Sequence, residues 1–266
     1  MAYINYVTKN LAIKIVYYGP GLSGKTTNLR YIYYKLDPAY RGDLICLETD
    51  TERTIFFDLL PIKAGLIGDF KVHFQLLTVP GQVFYEASRK SVLKGADGIV
   101  FVADSQVPLL DANLESFDGL RRNLLENNMD LNQMPLVFQY NKRDLENLIP
   151  VETFNNLLNP HGCPFVESSA INGWGVFETL HEIAKLTVPR VKEVIFKREE
   201  IGLEGKEEEE AIEREIYGKI QTPRLEERPA EPMPPPAGEK KRKVRTHEEI
   251  EQELERLARE FLGKKS

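Results

Sequence analysis

The chain has 266 residues, of which 42% are hydrophobic, and a formal net charge of -6. That is enough apolar content for a sizeable core, and the acidic balance argues against a general nucleic-acid binder. Cys46 and Cys163 stand far apart with no metal-ligand spacing around them, so they read as ordinary thiols of a reducing compartment.

The first residues show no basic stretch followed by an apolar run, so no signal peptide is expected. No run of about 18 apolar residues is present to span a membrane. Ala2 stands where myristoylation needs glycine, and the terminal GKKS is not a prenylation box. The expectation is a soluble, cytoplasmic protein.

Residues 13–18 (IKIVYY) are apolar and rich in strand formers, which predicts a buried strand. GPGLSGKT follows at residues 19–26 and fits the phosphate-loop pattern G-x-x-x-x-G-K-[ST]. Gly19, Gly21 and Gly24 carry no side chain, so backbone N–H groups can converge on phosphate oxygens. Leu22, Ser23 and Thr27 belong to the same nucleotide-binding stretch. Lys25 brings a point charge to the β- and γ-phosphates, and Thr26 offers a hydroxyl to Mg²⁺. The helix predicted from Thr26 directs its positive end at the anion.

A short strand is predicted at 43–48 (DLICLE), followed by TDTERTIFFDLLP at 49–61. A nucleotide switch needs a mobile threonine that caps the metal and senses the γ-phosphate; Thr54 is the candidate, with Thr51 behind it. Arg53 stands beside it. Its guanidinium either stabilises charge on the transferring phosphoryl group or is a solvated loop arginine, and spacing leaves both open. Residues 71–78 (KVHFQLLT) predict the next strand, which ends in TVPGQ at 78–82. The common D-x-x-G pattern places an Asp first. Here Gly81 is kept to meet the γ-phosphate, and Gln82 is placed to orient water. Thr78 replaces the Asp and supplies no carboxylate, so Thr26 and the phosphates are expected to carry more of the metal.

Strands are predicted at 97–103, 135–140 and 164–167, and helices at 85–93, 109–127, 151–158 and 176–194. NKRD at 141–144 closes the 135–140 strand and fits the guanine-reading N-K-x-D pattern. The Asp144 carboxylate can accept from guanine N1–H and the 2-amino group, a donor pair that adenine lacks. The stem of Lys142 can lie against the base while Asn141 braces the loop. ESSA at 167–170 brings Ser169 and Ala170, where the Ala170 N–H can meet guanine O6. Alternating strands and helices, with the phosphate loop after the first strand, imply an α/β P-loop fold, a mostly parallel sheet with helices on both faces. Ligands then bind at the carboxyl ends of the strands. His73, His161 and Trp174 read as structural residues.

Composition changes near residue 197. The expected organisation is a nucleotide-binding domain over 1–197, an acidic and Pro-rich linker with the basic cluster KKRKVR over 198–245, and an amphipathic helix over 246–264. Thr246 and Glu249 form a capping box, and Ile250, Leu254, Leu257 and Phe261 make one apolar stripe. That helix reads as a protein-docking element.

GPGLSGKTTNL, TERTIFFDLLP, TVPGQVFY and NKRD together resemble the MglA family of small Ras-like GTPases of bacterial gliding motility and cell polarity. The Thr in place of Asp in TVPGQ is characteristic of this group, and the resemblance covers about residues 1–195. It implies a switch that binds GTP and GDP with Mg²⁺, the metal held by Thr26 and Thr54. It implies hydrolysis with Arg53 as an internal arginine finger and Gln82 positioning water. It also implies an MglB-like roadblock-fold activating partner, recruitment to a cell pole, and movement of the 43–48 strand with GTP. The tail lies outside the resemblance. The alternative is a nucleotide-loaded adaptor with negligible hydrolysis that acts through this tail.

Overall fold

The computed structural model describes residues 3–5, 7–48, 54–81 and 85–199. Residues 200–264 of the linker and terminal helix expected over 198–264 lie outside this range, as do Thr51, Arg53 and Gln82.

An eight-stranded sheet forms the centre. Its strands are β1 (Tyr3–Asn5), β2 (Asn10–Tyr18), β3 (Ile45–Glu48), β4 (Thr54–Ile67), β5 (Phe70–Thr78), β6 (Gly98–Asp104), β7 (Leu136–Asn141) and β8 (Phe165–Glu167). They lie in the order β3-β4-β5-β2-β6-β7-β8, with β1 pairing β2. The run from β5 through β8 is parallel, whereas β3 and β4 are antiparallel to their neighbours. The mostly parallel sheet expected from the alternating pattern is therefore present.

The period-2 pleat sorts side chains into two cores. Leu11, Ile13, Ile15 and Tyr17 of β2 face one side with Val100, Val102 and Val137. They pack on α1 (Lys25–Lys35) through Leu29 and Ile32, and on α5 (Val176–Glu199) through Leu180, Ile183 and Ala184. Val16 and Tyr18 face the opposite side with Ile99, Phe101 and Phe138. That side is covered by α2 (Glu86–Leu93), α3 (Leu110–Glu126) and α4 (Val151–Leu157). Buried on both faces, β6 is fully buried along its length, as a central parallel strand must be. Gly98 lets α5 approach it, because a Cβ there would stand 2.7 Å from the Thr187 hydroxyl.

The sequence reading passed over β4, a 14-residue strand. Its signal is masked by Pro61 and Gly65, residues that usually interrupt strands. Pro61 lies past Leu59, the last residue of β4 that meets β3, so its missing N–H is tolerated. Gly65 sits where the β4–β5 register shifts and adopts φ 113, left-handed backbone suited to glycine. The shift also breaks the burial alternation: Leu60, Ile62 and Ala64 join one core, and the next member is Ile67.

Lys14 is held at the sheet's amino edge, where its N–H donates to Asp97 Oδ2 at 2.9 Å and its Nζ donates to the Lys94 carbonyl at 2.9 Å. Burial lowers its pKa to about 8, with Asp97 opposing the shift. Above about pH 8 the unfolded chain still binds the proton that the folded chain has released. Stability contributed here therefore rises with pH until the unfolded lysine also titrates. Lys14→Met is expected to remove that rise. Urea midpoints of wild type and variant, recorded from about pH 7 to pH 10, should diverge in favour of wild type. A constant gap would show that Lys14 keeps its proton in the fold.

Candidate functional site: a phosphate loop tied to three strand ends

Between β2 and α1 the chain turns through three left-handed positions, Gly19 at φ 151, Leu22 at φ 61 and Gly24 at φ 100. These turns wind residues 19–24 into a cradle at the amino end of α1. Lys25 is buried, and its Nζ curls back to the carbonyl oxygens of Gly19 at 3.0 Å and Pro20 at 2.7 Å. Burial lowers the Lys25 pKa to about 7, with Asp58 opposing and Arg89 reinforcing the shift. An anion in the cradle would restore the charge that burial disfavours. Gly81 closes against the loop from the end of β5; a Cβ there would lie 2.4 Å from Gly21 Cα. The structure thus brings Gly81 to Gly21, two positions far apart in sequence.

Asn141, the last residue of β7, clamps the loop to the 168–170 turn. Its Nδ2 donates to the Ser23 carbonyl at 2.7 Å. Its Oδ1 accepts from the Ala170 N–H at 2.9 Å and the Ser168 hydroxyl at 3.1 Å. Gly24 must be glycine beside it, because a Cβ would stand 2.2 Å from that Nδ2. Lys142 follows at φ 67, with its Nζ 2.6 Å from Oδ2 of the buried Asp104 at the end of β6. That ion pair pins the lysine head and leaves its stem along the loop. Arg143 pairs with Glu167 at 2.8 Å, and Asp144 is exposed at the tip. Ser169 is buried, its N–H bonded to the Trp174 carbonyl. The Ala170 N–H, expected to meet guanine O6, donates to Asn141 Oδ1 in this structure.

Sequence reasoning missed a second tie. Asn28 of α1 donates to the Gly24 carbonyl at 2.9 Å and exchanges two hydrogen bonds with Gln139 of β7, at 2.8 and 2.9 Å. Gln139 also donates to the Thr179 hydroxyl of α5 at 2.9 Å. All three side chains are buried. A polar residue amid the apolar run PLVFQY was the available signal, since a buried amide needs partners.

Asp58 of β4 was also unassigned. It is fully buried, and its Oδ2 accepts from the Thr26 hydroxyl at 2.7 Å and the Thr78 hydroxyl at 2.8 Å. The Asp58 N–H in turn donates to the Thr78 hydroxyl at 2.8 Å. Thr54 opens the same strand opposite Glu48. The residues present fit a nucleotide with its metal. The cradle is preshaped, and Ser23 Oγ and Asp58 Oδ1 are buried beside it with no hydrogen-bond partner.

The fold and this site define a P-loop nucleotide-binding protein of the small-GTPase class. Among known proteins, the Ras family profile matches residues 14–188. The chain is also 54% identical over 192 residues to the Mutual gliding-motility protein MglA of Myxococcus xanthus (strain DK1622), an alignment covering 72% of this chain and 98% of that relative. The chain belongs to the Ras family, as an MglA-like small GTPase. Among the described residues no helix is long and apolar enough to cross a membrane.

Asn141→Ala is expected to leave the Ser23 carbonyl, the Ala170 N–H and the Ser168 hydroxyl without this partner. The cost is about 2–4 kcal/mol of folding stability, read by urea denaturation. Bound guanine nucleotide should also leave at least about tenfold faster, because the phosphate loop and base loop lose their common brace.

Proposed function

We propose that this chain is a GTP-hydrolysing molecular switch that works with Mg²⁺ and signals through nucleotide-dependent partner binding. The observation that carries the reading is the Asn141 clamp, which registers the NKRD loop and the 167–170 turn on the phosphate loop. A chain that only gripped phosphate would need no such registration of base-reading segments.

In this reading the backbone of residues 19–26 and Lys25 hold the phosphates, and Thr26 and Thr54 hold the metal. Asp144, with Lys142 along the base, selects guanine; Ser169 and Ala170 close the base side. Mg²⁺ supplies charge neutralisation on the β- and γ-phosphates. Arg53 stabilises charge that develops on the phosphoryl oxygens, and Gln82 orients the attacking water; both roles follow from the resemblance. Similarity to a gliding-motility protein supports a role in polarity or motility, with an MglB-like activating partner and recruitment to a cell pole. The C-terminal segment adds a second protein-docking element.

Guanine selection has a direct test. Asp144→Asn replaces an acceptor by an amide that can donate to the 2-oxo group of xanthine. Competition binding should show GDP weakened about tenfold to hundredfold and XDP strengthened. Unchanged GDP preference would remove Asp144 from base reading. For hydrolysis, Arg53→Ala is expected to retain GTP binding while single-turnover rate falls by about 10³ or more, because the arginine acts chiefly in the transition state. Parallel loss of binding and turnover would assign Arg53 a structural role.

A further inference from the structure

We propose that Asp58 is the carboxylate of the Mg²⁺ site, supplied from β4 because Thr78 leaves the end of β5 without charge. The proposal rests on the reading of this chain as a Mg²⁺-dependent guanine-nucleotide switch.

Mg²⁺ is a hard cation that is held through oxygen ligands, usually one or two carboxylates beside substrate phosphates. The D-x-x-G pattern provides one such group, and here its position is the neutral Thr78. The sheet places another carboxylate beside it. Strand β4 runs antiparallel to β5, so its early residues lie at the edge where β5 ends. The register Leu59↔Leu77 sets Asp58 next to Thr78. Period-2 alternation then turns Asp58 toward α1, the side that also receives Leu60 and Ile62. The contacts agree, since Oδ2 accepts from Thr26 at 2.7 Å and from Thr78 at 2.8 Å.

Two features separate a metal role from a simple staple for two hydroxyls. Thr26 is the hydroxyl that the phosphate-loop motif assigns to the metal, so Asp58 lies one hydrogen bond from that position. The other oxygen, Oδ1, is fully buried and unpartnered, although a buried carboxylate oxygen is costly to leave unsatisfied. A staple needs only the one acceptor already in use, whereas a cation site uses the remaining lone pairs. The placement has a mechanical consequence. Thr54 opens the same strand four positions earlier, so a single strand carries the switch threonine and the charge that serves the metal. Metal occupancy then bears directly on the register of β4.

The test uses the full chain loaded with fluorescent GDP, with release followed against free Mg²⁺, and with Mn²⁺ binding measured separately by electron paramagnetic resonance. Asp58→Asn keeps an acceptor for both hydroxyls and removes the charge. It is expected to raise the Mg²⁺ midpoint and the Mn²⁺ dissociation constant about tenfold or more, with GDP still bound. The double variant Asp58→Asn/Thr78→Asp returns a carboxylate to the same edge and is expected to recover most of that loss. Thr78→Asp alone should bring no tightening, because Asp58 already supplies the charge. An Asp58→Asn midpoint within about twofold of wild type would overturn the proposal. So would a marked tightening by Thr78→Asp alone, which remains readable even where Asp58→Asn does not fold. A wild type that binds no guanine nucleotide would overturn the switch reading itself, a result distinct from either.

Discussion

The nucleotide site depends on a constraint of polar satisfaction. A phosphate loop exposes its N–H groups to the ligand and directs carbonyl groups backward into the protein. Those buried carbonyls need donors, because each one left unpaired costs about as much as a typical bond contributes or more. Asn141 serves Ser23, Asn28 serves Gly24, and Lys25 serves Gly19 and Pro20. Lys25 and Asn28 stand on α1 and Asn141 on β7, whose Gln139 also braces Asn28. The loop's shape is therefore a property of the assembled sheet, and small displacements of β7 or α1 reach the phosphates directly.

The same economy governs charge. Lys25 is desolvated, and the nearby Asp58 carboxylate only partly offsets the loss. Asp58 itself is buried with one oxygen unused. The phosphate loop thus holds a cation short of anions, and the adjoining strand β4 an anion short of cations. A nucleotide bound with its metal would answer both deficits together. On the base side Lys142 is already neutralised by Asp104. Its head is spent on position, and the neighbouring Asp144 stays exposed at the loop tip.

These two halves are joined to a sheet edge that differs from the centre. From β5 to β8 the strands are parallel, β6 and β7 are buried along their length, and an aromatic chain of Phe101, Phe117, Phe138, Tyr140 and Phe154 packs on one face. Beyond β5 the strands turn antiparallel, and β4 carries a bulge at Gly65 and register irregularity opposite β3. The parallel centre carries the phosphate loop and the NKRD loop, while β4 is paired less regularly.

Local grammar sufficed where recognition itself is local. The G-x-x-x-x-G-K-[ST] run, N-K-x-D and the apolar strands were legible because a loop that binds phosphate or guanine writes its requirement into a few consecutive residues. Thr78 was legible too, as a missing carboxylate. Its neighbour Asp58 was not, because DLLP lies in a strand disguised by Pro61 and Gly65, and only the β4–β5 register brings 58 beside 78. Asn28, Gln139 and Asp104 were hidden for the same reason: their partners lie on other strands and helices, across long stretches of chain. The sequence by itself determined the fold class and the family. Tertiary structure alone decided which buried polar groups hold those loops, because satisfying a buried donor or acceptor depends on what packing brings within about 3 Å, and separation along the chain carries no record of it.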